Sequence, residues 1–179
     1  MAIYKIFPTK DASIYTENTS MNTGLDQILE ASTYMYLGDP HISRYLIKFS
    51  STEISDIITN KISGSSFKTY LNNYAAVVTG LNTDTKLYAY PISGSWSMGT
   101  GHFRNSPITS NGVSWKFQAS SGSTEWATSS FGSYATASYT TVIGGGTWYT
   151  GSGFVGHQQF LFGDDLDINM RVTDIIKKH

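Results

Sequence analysis

The chain has no cysteine among its 179 residues. That excludes disulfides, thiolate metal sites and a Cys nucleophile together, so any extracellular durability has to come from packing or assembly. Charge is also scarce: Asp, Glu, Lys and Arg make up 14% of the residues, 12 basic against 13 acidic, for a formal net charge of -1, where about 25% charged is ordinary. No basic field is available to hold a phosphate backbone, and nucleic acid is not an expected partner. No run of 18 or so apolar residues exists to satisfy its backbone inside a bilayer, so no membrane span is expected. The start, Ala2-Ile3-Tyr4-Lys5-Ile6-Phe7, lacks the basic, apolar and small-residue regions of a signal peptide, and the expectation is a chain used as translated. What is abundant is Ser and Thr, roughly a quarter of the chain, with 17 Gly and 25 aromatic residues (12 Tyr, 9 Phe and 4 Trp). This is the composition of strands and turns. At 19.7 kDa one domain over 1–179 is expected, with a folded surface of about 8,600 Å².

Period-two alternation recurs along the chain. In Ser43-Arg44-Tyr45-Leu46-Ile47-Lys48-Phe49, residues Tyr45, Ile47 and Phe49 share one face while Arg44 and Lys48 share the other, predicting a half-buried strand. Leu166, Ile168, Met170 and Val172 alternate with polar residues in the same way. Further strands are predicted at Ile3–Phe7, Ser13–Thr16, Gln27–Leu37, Ser66–Leu71, Lys86–Ile92, Val113–Phe117, Ser138–Val142 and His157–Phe162. Helix signals are few. Ser50 and Glu53 have capping-box spacing ahead of Ile54, Ile57 and Ile58, predicting one short helix after the central strand. A last helical turn at Asp174–Lys178 has its acid first and its lysines last, which suits the helix dipole. About ten short strands with turns between them read as an all-β fold, a single antiparallel β-sandwich or jelly roll.

No motif assigns a reaction. Gly151-Ser152-Gly153-Phe154-Val155-Gly156 matches G-x-G-x-x-G, but the β-like His157–Phe162 follows where a dinucleotide site needs a helix. The histidines His41, His102, His157 and His179 lack zinc-ligand spacing and read as solvated. No Gly-x-Ser-x-Gly elbow singles out a serine for a Ser/His/Asp arrangement. Glu17, Glu30, Glu53 and Glu125 lie in distant segments, so only a fold could pair them for glycoside hydrolysis. Asp165 and Asp167 would share a strand face able to hold a hard cation, yet an Asp-rich turn is the preferred reading. No cofactor, metal or catalytic residue is expected.

The aromatics carry the most information. Trp96, Trp115 and Trp126 read as core or loop-anchoring residues. Trp148 and Tyr149 follow Gly144-Gly145-Gly146 and read as an exposed pair in a glycine-rich loop. If any aromatic pair contacts a partner, it is this one.

Phe7-Pro8-Thr9-Lys10-Asp11-Ala12-Ser13-Ile14-Tyr15, followed by Asn22-Thr23-Gly24, resembles the opening of the DNRLRE-type β-sandwich domains. Ser43–Phe49 is similar to their central strand, Lys86–Ile92 with Trp96 to a strand leading to a loop tryptophan, Val113-Ser114-Trp115 to the next Trp element, and Val172–Ile176 to the closing turn. The resemblance implies a jelly-roll sandwich of a kind used as carbohydrate-binding or surface modules in larger secreted proteins. In its free-standing form it resembles structural proteins of tailed, myovirus-like marine phages, made in the host cytoplasm and built into the virion. The expectation is therefore a non-enzymatic subunit of head decoration, neck, collar or tail, present as a homo-oligomer or in many copies beside other virion proteins. The alternative is a carbohydrate-binding module gripping surface glycans through exposed aromatics.

Overall fold

Branched, aromatic and hydroxyl side chains separated by Gly, Asn and Asp give short strands joined by turns, and strands predominate in the computed structural model. It describes residues 2–62, 66–78, 85–127, 134–139, 142–149, 151, 153–161 and 164–178. His179 and Ser152 lie outside the described residues, as does Phe162. Nine strands occur among those described: β1 (Lys10–Tyr15), β2 (Ser32–Tyr36), β3 (Asp39–Lys48), β4 (Tyr70–Asn73), β5 (Thr85–Ala89), β6 (Tyr134–Tyr139), β7 (Val142–Tyr149), β8 (Gly156–Phe160) and β9 (Ile168–Arg171). All pairings are antiparallel: a three-stranded sheet in the order β1-β3-β2, and the pairs β4-β9, β5-β8 and β6-β7.

The two helical expectations hold. Helix α1 (Ser51–Asp56) is capped by Ser50, whose hydroxyl accepts from the Glu53 N–H at 3.2 Å, and it runs into a π-helical turn over Ile57–Lys61. Helix α2 (Thr173–Lys178) carries Asp174 in its first turn and Lys177 and Lys178 in its last.

Several strand expectations change, Gln27–Leu37 keeping a strand only over Ser32–Tyr36 and Ser66–Leu71 only from Tyr70. Ile3–Phe7 is coil and mostly exposed, and no strand pairs with it among the described residues. Val113–Phe117 is irregular apart from a single bridge between Phe117 and Glu125. Ser138–Val142 is divided between the end of β6 and the start of β7. Strand β3 also distributes its faces differently from the simple alternation. Ile42 and Leu46 pack on the core, and Arg44 lies on that same face, opposite Ile14 of β1. The other face is covered too: burial pushes the Tyr45 hydroxyl pKa up, and Asn73 donates to it at 3.0 Å.

The core gathers Ala12 and Ile14 of β1 with Trp96, Val113, Trp115 and Trp126. All three tryptophans read as core or anchoring are thus buried, and all come from the irregular stretch between β5 and β6. A buried polar hub holds that stretch. Asn22, with no exposed surface, donates from Nδ2 to the carbonyls of Met98 (2.7 Å) and Val113 (2.9 Å). Its Oδ1 accepts from the N–H of Gly101 (2.8 Å) and Gly24 (3.3 Å). All four hydrogen-bonding positions of the amide are satisfied, as a buried amide requires. The shell is tight: a Cβ on Gly99 or Gly112 would come within 2.3 or 2.5 Å of the Asn22 amide. Next to it, the Thr23 hydroxyl accepts from the Ser13 N–H (3.1 Å) and donates to the Ser13 carbonyl (2.6 Å), closing the outer edge of β1.

Candidate functional site

Alternation along β5 and β8 sets one polar and aromatic face outward. Lys86, Tyr88 and the following Tyr90 are exposed on this face from one strand, His157 and Gln159 from its partner, while Leu87 and Phe160 turn inward. Tyr88 and Tyr90 are stacked with an interplanar angle of 20° and ring centroids 6.3 Å apart, and His157 lies 6.0 Å from Tyr88. Trp148 extends the row, its ring centroid 6.0 Å from that of Tyr90. The contact follows from backbone pairing, since β7 continues against the segment after β5: Tyr149 N–H donates to the Pro91 carbonyl (3.0 Å) and Ser93 N–H to the Thr147 carbonyl (2.7 Å).

A buried cation sits behind this row. The Arg44 guanidinium lies 4.9 Å from the ring centroids of both Trp115 and Trp148 and donates to the Gly145 carbonyl at 2.9 Å. Desolvation lowers its pKa to about 10, which leaves it cationic at neutral pH. No carboxylate pairs with it among the described residues. The negative faces of two indoles take that place, an arrangement typically worth about 0.5–2 kcal/mol per contact. Close approach needs the glycines. Between β6 and β7 the register jumps from Thr136↔Thr147 to Ala137↔Gly144, so Gly145 and Gly146 bulge out of the ladder. Gly145 has a φ of +75°, and a Cβ there would stand 2.7 Å from Arg44 and 2.8 Å from the Trp115 ring.

The glycine run before Trp148 and Tyr149 is therefore part of a bulged strand, not a loop. Because successive strand residues face opposite ways, the pair is divided. Trp148 joins the Tyr88–Tyr90 row, whereas Tyr149 stacks on Phe154 at 5.5 Å, and both are half-buried. Tyr88 and Tyr90 were readable as an i, i+2 pair on one strand face; their contact with Trp148 depends on tertiary pairing.

The remaining chemical candidates do not converge on a reaction site. Tyr15, Glu17, Glu30, Ser32, His41 and Ser43 line a cleft of about 20 Å³, room for about one water molecule. Within it Glu30 accepts from Ser32 (2.6 Å) and Ser43 (3.3 Å), and from the Tyr15 hydroxyl (3.4 Å). His41 meets Tyr34 at 3.5 Å, with no hydrogen bond to a serine among the described residues. His102 faces Asp26 at 3.3 Å. Glu17 pairs with Arg104 (3.0 Å) and Glu125 with Lys116 (3.2 Å). Asp165 and Asp167 precede β9, and their carboxylates bond to backbone: Asp165 accepts from the Asp167 N–H within a turn (3.1 Å) and Asp167 from the Ala75 N–H beyond β4 (2.8 Å). Among the described residues no group of three or more His, Asp or Glu could hold a metal ion. Strand β8, not a helix, follows Gly156, removing the context a dinucleotide would need. No described helix is long and apolar enough to cross a membrane.

No protein-family model, curated protein or solved structure matches the chain.

Proposed function

We propose that this chain is a non-enzymatic structural subunit of a tailed-phage virion, in the head decoration, neck, collar or tail. It acts through protein–protein contacts in many copies, on a single β-sandwich or jelly roll of the DNRLRE type, and is assembled in the host cytoplasm. The observation that carries the reading is exposed apolar surface on segments that extend from the packed core: Ile3 and Phe7 in the first residues, Met35, Tyr36 and Leu37 at a hairpin tip, and Tyr74 and Val77 after β4. Scarce charge acts in the same direction, because few ions need desolvating at a contact. Mass spectrometry of purified particles from a phage carrying this gene should find the chain in multiple copies per virion. Its absence from the particles would overturn the reading.

A second reading rests on the Tyr88, Tyr90 and Trp148 row, whose exposed faces suit stacking on sugar rings, with Lys86, His157 and Gln159 beside them for hydroxyl groups. A carbohydrate-binding subunit would show glycan-array binding that Trp148→Ala and Tyr90→Ala abolish without unfolding the chain. Binding unchanged in both variants would remove this reading.

A further inference from the structure

We infer that residues 2–8 form a donor strand that pairs with the open edge of β2 in a second copy of this chain. The inference rests on the self-assembling role proposed above and names the contact that would join the copies.

Two features of one chain complement each other. The first is the arm. Ala2-Ile3-Tyr4-Lys5-Ile6-Phe7 has strand-forming composition and exposes Ile3 by 74% and Phe7 by 76%, and no backbone hydrogen bond from residues 2–8 occurs among the described residues. Thr9 is where the fold begins, its N–H donating to the Lys48 carbonyl at 2.7 Å. The second is the edge. In the sheet β1-β3-β2 both outer strands have a free side, and the two sides are treated differently. That of β1 is closed by Thr23 on both polar groups of Ser13. That of β2 is bare.

The register shows which groups β2 presents. Met35 lies opposite Pro40, which has no N–H, so this is a non-hydrogen-bonded pair. Alternation then makes Thr33↔Ile42 non-hydrogen-bonded as well, and the N–H and C=O groups of Thr33 and Met35 point away from β3. Residues 31–38 contain no charge and no proline, the devices that usually protect an edge. At the hairpin tip Leu37 (φ +51°) and Gly38 (φ +90°) occupy the two left-handed positions of a tight turn, and Leu37 is 89% exposed. A branched apolar residue held in this conformation, in solvent, is strained without a packing return inside its own chain.

Geometry directs the arm to another copy. From Thr9 beside Lys48, the near end of β2 lies five residues along β3 and across the sheet, roughly 20 Å away at ordinary strand spacings. Seven extended residues reach about 25 Å at most. An arm would be used up in arriving and could not lie along its own β2. In a second copy it can. The arm contributes Ile3, Tyr4 and Phe7, and the edge Tyr34, Met35, Tyr36 and Leu37, each of which is 46% or more exposed. At about 130 Å² apiece these seven side chains expose roughly 900 Å², and covering most of it together with the backbone of a paired strand approaches the ~1,200 Å² of a stable interface. The arm's charge is Lys5, and the charged residue at the hairpin is Asp39, both exposed, so the signs are complementary. Such a contact joins two different surfaces, and repetition generates rings or filaments, or a closed pair if the arms are exchanged.

The test uses full-length chain in sedimentation and light scattering. Phe7→Asp should disable the arm, and Met35→Pro should remove an outward N–H without touching the β2–β3 ladder. Each alone should weaken self-association at least about tenfold. Mixed, they should form a stable one-to-one pair, because one copy keeps its edge and the other its arm. Near-UV circular dichroism checks folding, and Met35→Lys replaces Met35→Pro if the proline variant fails to fold. A wild-type chain that stays monomeric, or a mixture that forms no pair, overturns the donor-strand contact. Detection of the chain in purified virions decides the virion reading separately, so either proposal can fail alone.

Discussion

Replacing Asn22 tests whether the irregular half of the core depends on one side chain. The amide makes four hydrogen bonds in a site without solvent access. Asn22→Ala orphans the carbonyls of Met98 and Val113 and the N–H of Gly101, the fourth bond being long at 3.3 Å. Each orphaned buried group costs about 1–3 kcal/mol, so for three a loss of about 3–9 kcal/mol is expected. That is a large part of the ~5–15 kcal/mol that stabilises an ordinary domain. Asn22→Asp sharpens the test. It keeps the acceptor for Gly101 and Gly24 but faces two carbonyls with a second acceptor, and as a carboxylate it buries an unpaired charge. The folded state then favours the protonated acid, raising the pKa of the introduced carboxyl above its unfolded value. Stability of the variant is greatest below that unfolded value and is lost as pH rises through the folded one. Urea unfolding followed by tryptophan fluorescence at several pH values measures both effects. A cost below about 1 kcal/mol for Asn22→Ala, or a deficit of Asn22→Asp that does not grow with pH, would refute the hub.

Three further outcomes follow from particular contacts. Gly145→Ala places a Cβ against Arg44 and the Trp115 ring at a φ of +75°, and should cost about 2–4 kcal/mol in thermal unfolding; Gly122→Ala, at a φ of +83° with open space around it, should cost only the backbone part, about 1 kcal/mol. Leu37→Asn puts a residue that tolerates the left-handed region into the hairpin turn, and should raise Tm by about 2–4 °C while reducing self-association; a fall in Tm would contradict the strain assigned to Leu37. Burial raises the hydroxyl pKa of Tyr15 and Tyr45, so their contribution is complete below the ordinary tyrosine value near 10 and declines as pH rises above it. Tyr15→Phe should therefore make alkaline unfolding less steep, measured as Tm against pH, and an unchanged profile would show that Tyr15 does not contribute.

Legibility in the sequence followed periodicity. The alternation at Ser43–Phe49 and Leu166–Val172, the capping spacing of Ser50 and Glu53, and the acid-first, lysine-last order of the final turn all correspond to observed elements. These are local signals, each complete within a few residues. The stretch from Ile92 to Ala127 alternates only at Val113–Phe117, which did not become a strand, since its order comes from contacts such as Asn22 to Val113, 91 residues apart. Its tryptophans announced burial without revealing the path of the chain. At Gly144-Gly145-Gly146 composition pointed to a loop, because a strand tolerates three glycines only where something approaches closely, and that neighbour, Trp115 with Arg44, is distant in sequence. Arg44 was placed on a polar face for a related reason: alternation reports charge, and cannot see that two indoles will receive it. Ile3–Phe7 shows the converse, a strand pattern with no pairing strand among the described residues.

The treatment of the two sheet edges bears on whether the exposed apolar surface is a device or merely loose packing. Loose packing would leave both sides of β1-β3-β2 imperfectly covered. Instead Ser13 and Thr23, both at 1% exposure or less, close the middle of the β1 side with two hydrogen bonds. On the other side Tyr34 to Leu37 stand in solvent with neither a charge nor a proline among them. An edge of this kind promotes indiscriminate pairing unless a particular strand covers it. The arm at residues 2–8 has the composition and length to do so in a neighbouring copy, and it too is uncovered in the single chain. Capping the arm or charging the edge alone would leave the other half still exposed. It follows that the two should be altered together, and a double variant of Phe7→Asp with Met35→Lys should be more soluble than either single variant.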